Sequence, residues 1–362
     1  MHDLFEIASA SGSHPVRIAA EPLANLAVGP QPTLILADSF FRDQLRDVSC
    51  PILFIEAVEE SKELAALSPL IEQCREAGLA RNGHILAVGG GVVQDIACFI
   101  ATVYMRGVDW TFMPTTLLAM VDSCIGGKSS VNVGAFKNLV GSFYPPKAII
   151  VPVTAVETLP PEHFAAGQCE AAKICFAHGN GVFGEYIALP RSEGRCDPEH
   201  MVPLSLNAKK WFIEVDEFDQ NERLLLNFGH SFGHALESCT DYLLTHGVAV
   251  GIGCLAAVEM SANEDARIRD VARVQALVDD LTGILSQVPG IPEALGRVER
   301  GDFFRFWQSD KKHNPQAYRP ILINDQGYLY RATLTRVPAV DDAIWLAFEQ
   351  ARDRVVGQAL AR

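Results

Sequence analysis

The residues best equipped for chemistry lie in Asn227-Phe-Gly-His-Ser-Phe-Gly-His-Ala-Leu-Glu237, with His246 twelve positions past the second histidine. On a helix, His230 and His234 share one face, so two imidazoles point the same way. His246 opens another apolar run, His246-Gly-Val-Ala-Val-Gly-Ile-Gly253. Neutral imidazole is the commonest protein metal ligand. Ser231 follows His230, so this is not the glutamate-bearing zinc-protease pattern. A capped helix with two buried, satisfied histidines fits the same spacing. Glu170, in Cys169-Glu-Ala-Ala-Lys173, is a candidate carboxylate partner, although spacing alone does not select it.

Two further stretches could handle anions. Ile85-Leu-Ala-Val-Gly-Gly-Gly91 reads as a buried strand running into a glycine turn, with a helix over 92–104 behind it. That order brings backbone N–H groups to a pyrophosphate. Asp95 lies four residues past Gly91. The GxGxxG fingerprint is absent, and a tight packing turn would use the same glycines. The strand Trp110-Thr-Phe-Met-Pro-Thr-Thr116 ends in two hydroxyls, and in open α/β sheets ligands sit beyond strand C-termini. Asp122-Ser-Cys-Ile-Gly-Gly-Lys-Ser-Ser-Val-Asn132, followed by Lys137 and Asn138, reads as an anion-handling loop. It does not satisfy GxxxxGK[ST].

The elements that must position these residues fall into two halves, as a 362-residue chain requires. Up to Thr158-Leu-Pro-Pro161, short apolar strands alternate with helices: Thr33–Asp38, Ile52–Ile55, a helix over 61–77, and Ala148–Val151. Beyond residue 160, helical periodicity covers about 162–177, 204–215, 230–240, 247–264, 268–285 and 340–355, with a hairpin over Arg319–Tyr330. The expected domains are 1–158 and 159–362. Hydrophobic residues make up 49%, which excludes a disordered chain. No uncharged apolar run is long enough to span a membrane, and the N-terminus lacks a secretory pattern. Nine scattered cysteines without CxxC pairs suggest reduced thiols in the cytoplasm. Net charge is −14, from 30 basic and 44 acidic residues, which opposes nucleic-acid binding. An acidic chain that binds an anion must gather cations locally.

Three blocks together resemble the 3-dehydroquinate synthase family of sugar phosphate cyclases. They are Gly89-Gly-Gly-Val-Val-Gln-Asp95 through Tyr104-Met-Arg-Gly107, Pro114-Thr-Thr-Leu-Leu-Ala119 through Asn138, and Asp216 through Glu237. The resemblance implies a Rossmann-like α/β N-terminal domain for NAD and a mainly α-helical C-terminal domain for metal and substrate, with the family's active site between them. It implies that Glu170, His230 and His246 hold a divalent metal, usually zinc, with cobalt as the alternative. His234 becomes a substrate-side group. Arg106, Lys128, Lys137, Lys173, Lys209, Arg223 and Lys311 or Lys312 match substrate cations, and Asp122, Asn138 and Asn227 match polar contacts. The NAD side would use Asp38, Glu59, Lys62, Gly89, Gly90, Gly91, Val92, Asp95, Thr115, Thr116 and Thr158, with Asp122, Lys128 and Lys137 bordering it. Arg106 reaches a neighbouring subunit in the family, which implies a homodimer.

The implied reaction closes 3-deoxy-D-arabino-heptulosonate 7-phosphate, a phosphorylated sugar acid, to 3-dehydroquinate. Transient oxidation, phosphate loss, reduction and an intramolecular aldol follow in order, and NAD ends unchanged. The chain departs from the family pattern at several places. Gln94 and Cys98 replace glycines, Gly126-Gly-Lys-Ser-Ser130 replaces Gly-Gly-Lys-Thr-Gly, and Phe136 replaces a small residue. Lys173-Ile-Cys175 replaces Lys-Tyr-Gly, Asp219 replaces Glu, and Val58-Glu-Glu-Ser-Lys62 replaces Gly-Glu-x-x-Lys. Cys169 before Glu170 is similar to sister cyclases that make 2-deoxy-scyllo-inosose. The alternatives are therefore a sister cyclase acting on glucose 6-phosphate or sedoheptulose 7-phosphate, a metal-dependent polyol dehydrogenase, or a non-catalytic descendant.

Overall fold

The computed structural model describes residues 1–19, 33–134, 136–263, 270–310 and 312–361. They form two compact units, Met1–Leu159 and Pro160–Arg362.

Unit 1 is an α/β layer structure. Its strands are β1 (His2–Ser9), β2 (Gly12–Ala19), β3 (Leu34–Asp38), β4 (Ile52–Ile55), β5 (His84–Gly89), β6 (Asp109–Pro114) and, last, Ala148–Pro152. They lie side by side in the order β1, β2, Ala148–Pro152, β6, β5, β3, β4. β1 pairs antiparallel with β2, and the other neighbours run parallel. The first four residues of β3 and the last five of β5 are buried without alternation, as central parallel strands require. Ile35, Ala37, Leu86, Val88 and Met113 share one core. β4 lies on one side of β3 and β5 on the other, so the winding reverses between β3 and β5. Their C-terminal ends are therefore the ligand crevice of such a sheet.

Helix α1 (Leu64–Glu76) starts three residues later than expected, because Glu59–Lys62 forms a separate 3-10 turn. Helix α2 (Gly91–Val103) follows β5 directly. The five-residue α3 (Leu117–Val121) is capped by Thr116, whose hydroxyl accepts from the Ala119 N–H. The expected anion loop needs correction. Asp122 ends α3, Ser123–Ile125 is a 3-10 turn, and Lys128–Val133 is strand β7, paired antiparallel with β8 (Phe136–Phe143). Lys128, Lys137 and Asn138 thus sit on a hairpin, in which burial alternates over Lys128–Val131 until the register shifts between Val131 and Val133. In chain order Ala148–Pro152 is β9.

Unit 2 is mainly helical: α4 (Pro161–His178), α5 (Asn180–Ile187), α6 (Pro198–Val215), α7 (His230–Cys239), α8 (His246–Asn263), α9 (Val271–Leu285), α10 (Ile291–Leu295), α11 (Arg300–Gln308) and α12 (Pro338–Leu360). α6 begins six residues before the expected 204, capped by Asp197 with Pro198 at its first turn; Pro203 is carried inside it. Sequence periodicity did not bring out α5, α10 or α11. The expected hairpin pairs Ile321–Ile323 with Leu329–Arg331, and Ala317–Tyr318 pairs with Leu334–Thr335 outside it. Positions 264, 268 and 269 of the expected helices, and Lys311, lie outside the described residues.

Glycines let three of these helices touch backbone to backbone. A Cβ on Gly253 of α8 would lie 2.1 Å from the Gly229 carbonyl oxygen, and one on Gly247 would lie 2.1 Å from that of Ala166 in α4. Gly253→Ala is expected to destabilise the chain by about 1–3 kcal/mol through overpacking. Differential scanning calorimetry would show this as a lower melting temperature. Gly283→Ala, where an added Cβ meets nothing within 4 Å, serves as the control that does not fall. An unchanged Gly253→Ala melting temperature would contradict the close approach.

Candidate functional site

Thirteen residues of α4 are buried, among them Glu170 and Lys173, which are 0% and 1% exposed. They stand three apart on one helix face, and Lys173 Nζ forms an ion pair with Glu170 Oε2. Glu170 Oε1 is buried and has no hydrogen-bond partner. Both Nε2 atoms, of His230 at the start of α7 and His246 at the start of α8, lie 3.9 Å from Oε1. That is too long for a hydrogen bond. Ligand atoms of all three residues lie within 4.8 Å of one another. Metal–ligand bonds of about 2.0–2.2 Å suit such spacing.

The other ring nitrogens fix the tautomers. His230 Nδ1 lies 3.3 Å from the Phe228 carbonyl, and His246 Nδ1 lies 3.1 Å from Glu237 Oε2. Carbonyl and carboxylate oxygens only accept, so each Nδ1 carries a proton and each Nε2 is left facing Glu170. Burial holds the His230 imidazole well below its ordinary value, aided by the charge of Lys173. Burial alone would lower His246 too, but Glu237 and Glu170 outweigh it and raise that imidazole. A carboxylate and two imidazoles, each imidazole oriented from behind, suit a divalent ion that keeps positions open for other ligands.

His234, one turn past His230, is 44% exposed. Its Nδ1 lies 3.8 Å from Asp310 Oδ2, which also faces Lys312 Nζ at 3.5 Å. Burial pushes the Asp310 carboxyl up, but His234 and Lys312 reverse this and hold it well below the usual range. Lys209 and Arg223 are buried in the same unit, 5% and 4% exposed. The Asp216 carboxylate accepts from the N–H groups of Gln220, Asn221 and Arg223, fixing the loop that carries Arg223. Arg223 Nη1 donates to the Glu217 carbonyl at 2.5 Å, and Asn227 Nδ2 donates to the Leu224 carbonyl at 3.1 Å.

In unit 1, Asp38 ends β3, Gly89 ends β5, and Thr115 and Thr116 follow β6, three adjacent parallel strands. Asp38 Oδ1 accepts from the Phe40 N–H at 3.0 Å. Gly90 precedes α2 with no side-chain cap, and a Cβ there would lie 2.8 Å from Thr116 Cγ2. Gly91 and Val92 open the helix, and a Cβ on Gly91 would meet nothing within 4 Å. The helix start thus offers N–H groups and room in front of them, which suits a pyrophosphate.

A second cluster joins Glu59, Lys62, Asp95 and Asn138. Buried Lys62 lies 2.9 Å from Asp95 Oδ2, 3.5 Å from Glu59 Oε1 and 2.9 Å from Asn138 Oδ1. Lys128 Nζ lies 5.6 Å over the Phe143 ring, and Lys137 is exposed on β8. Asp122 closes α3, Thr158 donates within its own 3-10 turn, and Arg106 is exposed with φ +68°.

Sequence reasoning missed Glu237, Asp310 and Asp216. Glu237 had a signal, seven residues past His230 and so on the same helix face. Asp310 precedes the expected lysine pair and had no periodic signal of its own.

A doubly wound α/β unit with a glycine-turn crevice, paired with a helical unit bearing a two-histidine, one-carboxylate centre, defines the broad class. The 3-dehydroquinate synthase N-terminal model matches residues 52–166, and the 3-dehydroquinate synthase C-terminal model matches residues 167–313. The chain belongs to the 3-dehydroquinate synthase family. It is 34% identical over 282 residues to the 3-dehydroquinate synthase of Prochlorococcus marinus, covering 76% of this chain and 75% of that one. With that of Dichelobacter nodosus it shares 39% over 218 residues, 57% of this chain and 59% of the other. Among solved structures, 2-deoxy-scyllo-inosose synthase complexed with carbaglucose-6-phosphate, NAD+ and Co2+ superposes with a TM-score of 0.80 at 22% identity, covering 95% and 99% of the two chains. The 2-epi-5-epi-valiolone synthase of Streptomyces hygroscopicus, with NAD+ and Zn2+ bound, gives 0.73 at 22% identity, covering 94% and 97%. Both share the fold. Among the described residues, no helix is long and apolar enough to cross a membrane.

Glu170→Gln is expected to weaken zinc binding more than a hundredfold in calorimetry while the chain stays folded. Glu237→Gln should weaken it about tenfold to a hundredfold, the usual cost of losing a supporting hydrogen bond. Unaltered zinc affinity in Glu170→Gln would remove that residue from the centre.

Proposed function

We propose that this chain is a sugar phosphate cyclase that converts 3-deoxy-D-arabino-heptulosonate 7-phosphate to 3-dehydroquinate. The observation that carries the reading is the convergence of Glu170, His230 and His246 on one point, beside Lys173, in a chain of this family. Residues 1–158 form the NAD-binding domain in this reading, and residues 159–362 form the metal- and substrate-binding domain. When bound, NAD would accept and return two electrons, and a divalent ion such as zinc or cobalt would polarise a substrate oxygen.

The chain's own residues do the rest. Glu170, His230 and His246 would hold the ion. Lys173, anchored by Glu170, keeps a fixed positive charge beside the reacting carbon atoms. Asp310 steadies His234 and Lys312 on the substrate side. Lys209, Arg223, Lys128, Lys137 and Arg106 supply the charge that a substrate with both phosphate and carboxylate needs in a protein of net charge −14. Asn138, Asn227 and Asp122 contact substrate hydroxyls, and the enzyme acts as a homodimer in which Arg106 serves the neighbouring copy. This division of labour is positioning and charge stabilisation.

The altered positions Gln94, Ser129 and Ser130 support a second reading, a sister cyclase acting on glucose 6-phosphate or sedoheptulose 7-phosphate. Gln94 is bonded twice to Ser123, next to Asp122. Cys169, whose buried thiol faces Gly251, belongs to the same second reading through its resemblance to sister cyclases.

Phosphate release from the three sugar phosphates, with NAD+ and zinc supplied, decides between the readings. Turnover of the heptulosonate without net NADH is expected. Net NADH in step with product would instead mark a dehydrogenase. Lys173→Ala is expected to cut turnover at least about a hundredfold, as loss of a transition-state charge contact does. A large drop in melting temperature at undiminished turnover would make Lys173 structural.

A further inference from the structure

We infer that His313 is a positioning residue: it accepts the backbone N–H of Arg319 while its ring packs against Trp307 and Tyr318, and so fixes the turn that presents Asp310 and Lys312 to His234. The inference deepens the proposed function and rests on it in one respect, that Lys312 faces the substrate.

The turn begins where α11 ends. The Asp310 N–H donates to the Trp307 carbonyl at 3.3 Å, and the His313 N–H donates to the Asp310 carbonyl at 3.0 Å. The Lys312 N–H donates to Asp310 Oδ1 at 3.0 Å, which leaves Oδ2 facing Lys312 Nζ at 3.5 Å and His234 Nδ1 at 3.8 Å. The backbone bonds span three residues at most. They shape the turn but do not tie it to the rest of unit 2.

The His313 side chain makes that tie in two ways. Its Nδ1 lies 3.0 Å from the backbone nitrogen of Arg319, six residues on. A backbone N–H only donates, so Nδ1 carries the lone pair and the ring proton sits on Nε2. Burial pushes this imidazole down to about 4, against the pull of Asp310, so the acceptor is present at neutral pH. The ring centroid also lies 5.2 Å from that of Trp307 and 5.2 Å from that of Tyr318, both buried. Trp307 in turn lies 4.7 Å from Phe232, which sits on α7 between His230 and His234. One aromatic block therefore carries both the helix of His234 and the anchor of the turn opposite it. An asparagine at 313 would supply the acceptor, because its Oδ1 is joined to Cγ as Nδ1 is. A phenylalanine would supply the ring alone.

The test uses the full-length enzyme with NAD+ and zinc and has two readouts. The first is hydrogen exchange at the Lys312 and Arg319 N–H groups. Both are expected to exchange about tenfold faster in His313→Phe, the scale of one lost hydrogen bond, and near the wild-type rate in His313→Asn. The second is kcat/KM on whichever sugar phosphate the wild type turns over. His313→Phe is expected to lose about tenfold, and His313→Asn should restore most of it. The loss should lie mainly in KM, because the Lys312 charge attracts substrate and transition state alike. In the Lys312→Ala background, His313→Phe should cost nothing further. Unchanged exchange in His313→Phe overturns the inference. So does a His313→Asn variant as impaired as His313→Phe, or a loss that persists undiminished in the Lys312→Ala background. Full activity in Lys312→Ala instead defeats the assignment of Lys312 to substrate, and with it the role given to His313. Failure of the whole substrate panel defeats the proposed reaction, while hydrogen exchange still decides whether His313 holds the turn.

Discussion

Three ligand atoms, one carboxylate oxygen and two imidazole nitrogens, converge in the C-terminal unit. Glu170 Oε1 is buried and makes no hydrogen bond among the described residues, and two imidazole Nε2 atoms stand 3.9 Å from it. A carboxylate held out of water costs several kcal/mol unless compensated. Lys173 pairs with the other oxygen, Oε2. A cation is the economical resolution of such a cluster. The contrast with Asp95 is informative, because that carboxylate is also buried beside a lysine but is saturated by Lys62 and Ser130. One carboxylate is a structural anchor, and the other has the features of a ligand.

The helices must come close for this to happen. Glu170, His230 and His246 are carried by α4, α7 and α8, and glycines at 229, 247 and 253 remove the side chains that would hold those elements apart. Large apolar residues then fill the space around the contact, with Phe176 stacked on Phe228 and Phe232 packed against Trp307. The supporting bonds come from Phe228, just before α7, and from Glu237 within it, so a single stretch of chain both supplies a ligand and orients the two imidazoles.

Much of this was legible in the residues themselves. Uninterrupted apolar runs marked β3 and β5, and the i, i+4 histidines marked α7, because those patterns reflect local periodicity. Glu170 was not selectable by spacing. Its partners lie 60 and 76 positions away, and only tertiary packing brings them together. The β7–β8 hairpin looks like a loop in sequence, since glycine and serine dominate its start while its pairing partner lies beyond Gly134. Pro203 hid the first turns of α6, because it lies inside the helix, where a proline donates no backbone hydrogen bond. The polar side chains at Gln94, Cys98 and Ser130 stood out as unusual. Their bonds to Ser123, Tyr144 and Asn138 could not be foreseen, because they join segments with no shared period.

Thr116 has two duties that cannot be separated. Its methyl group backs Gly90, and its hydroxyl caps a helix only five residues long that ends at Asp122. A larger residue at position 90 would displace that methyl, uncap α3 and loosen Asp122 at the far end. The glycine turn and the short helix therefore behave as one module. A chimera that imported either from a relative without the other would disturb both.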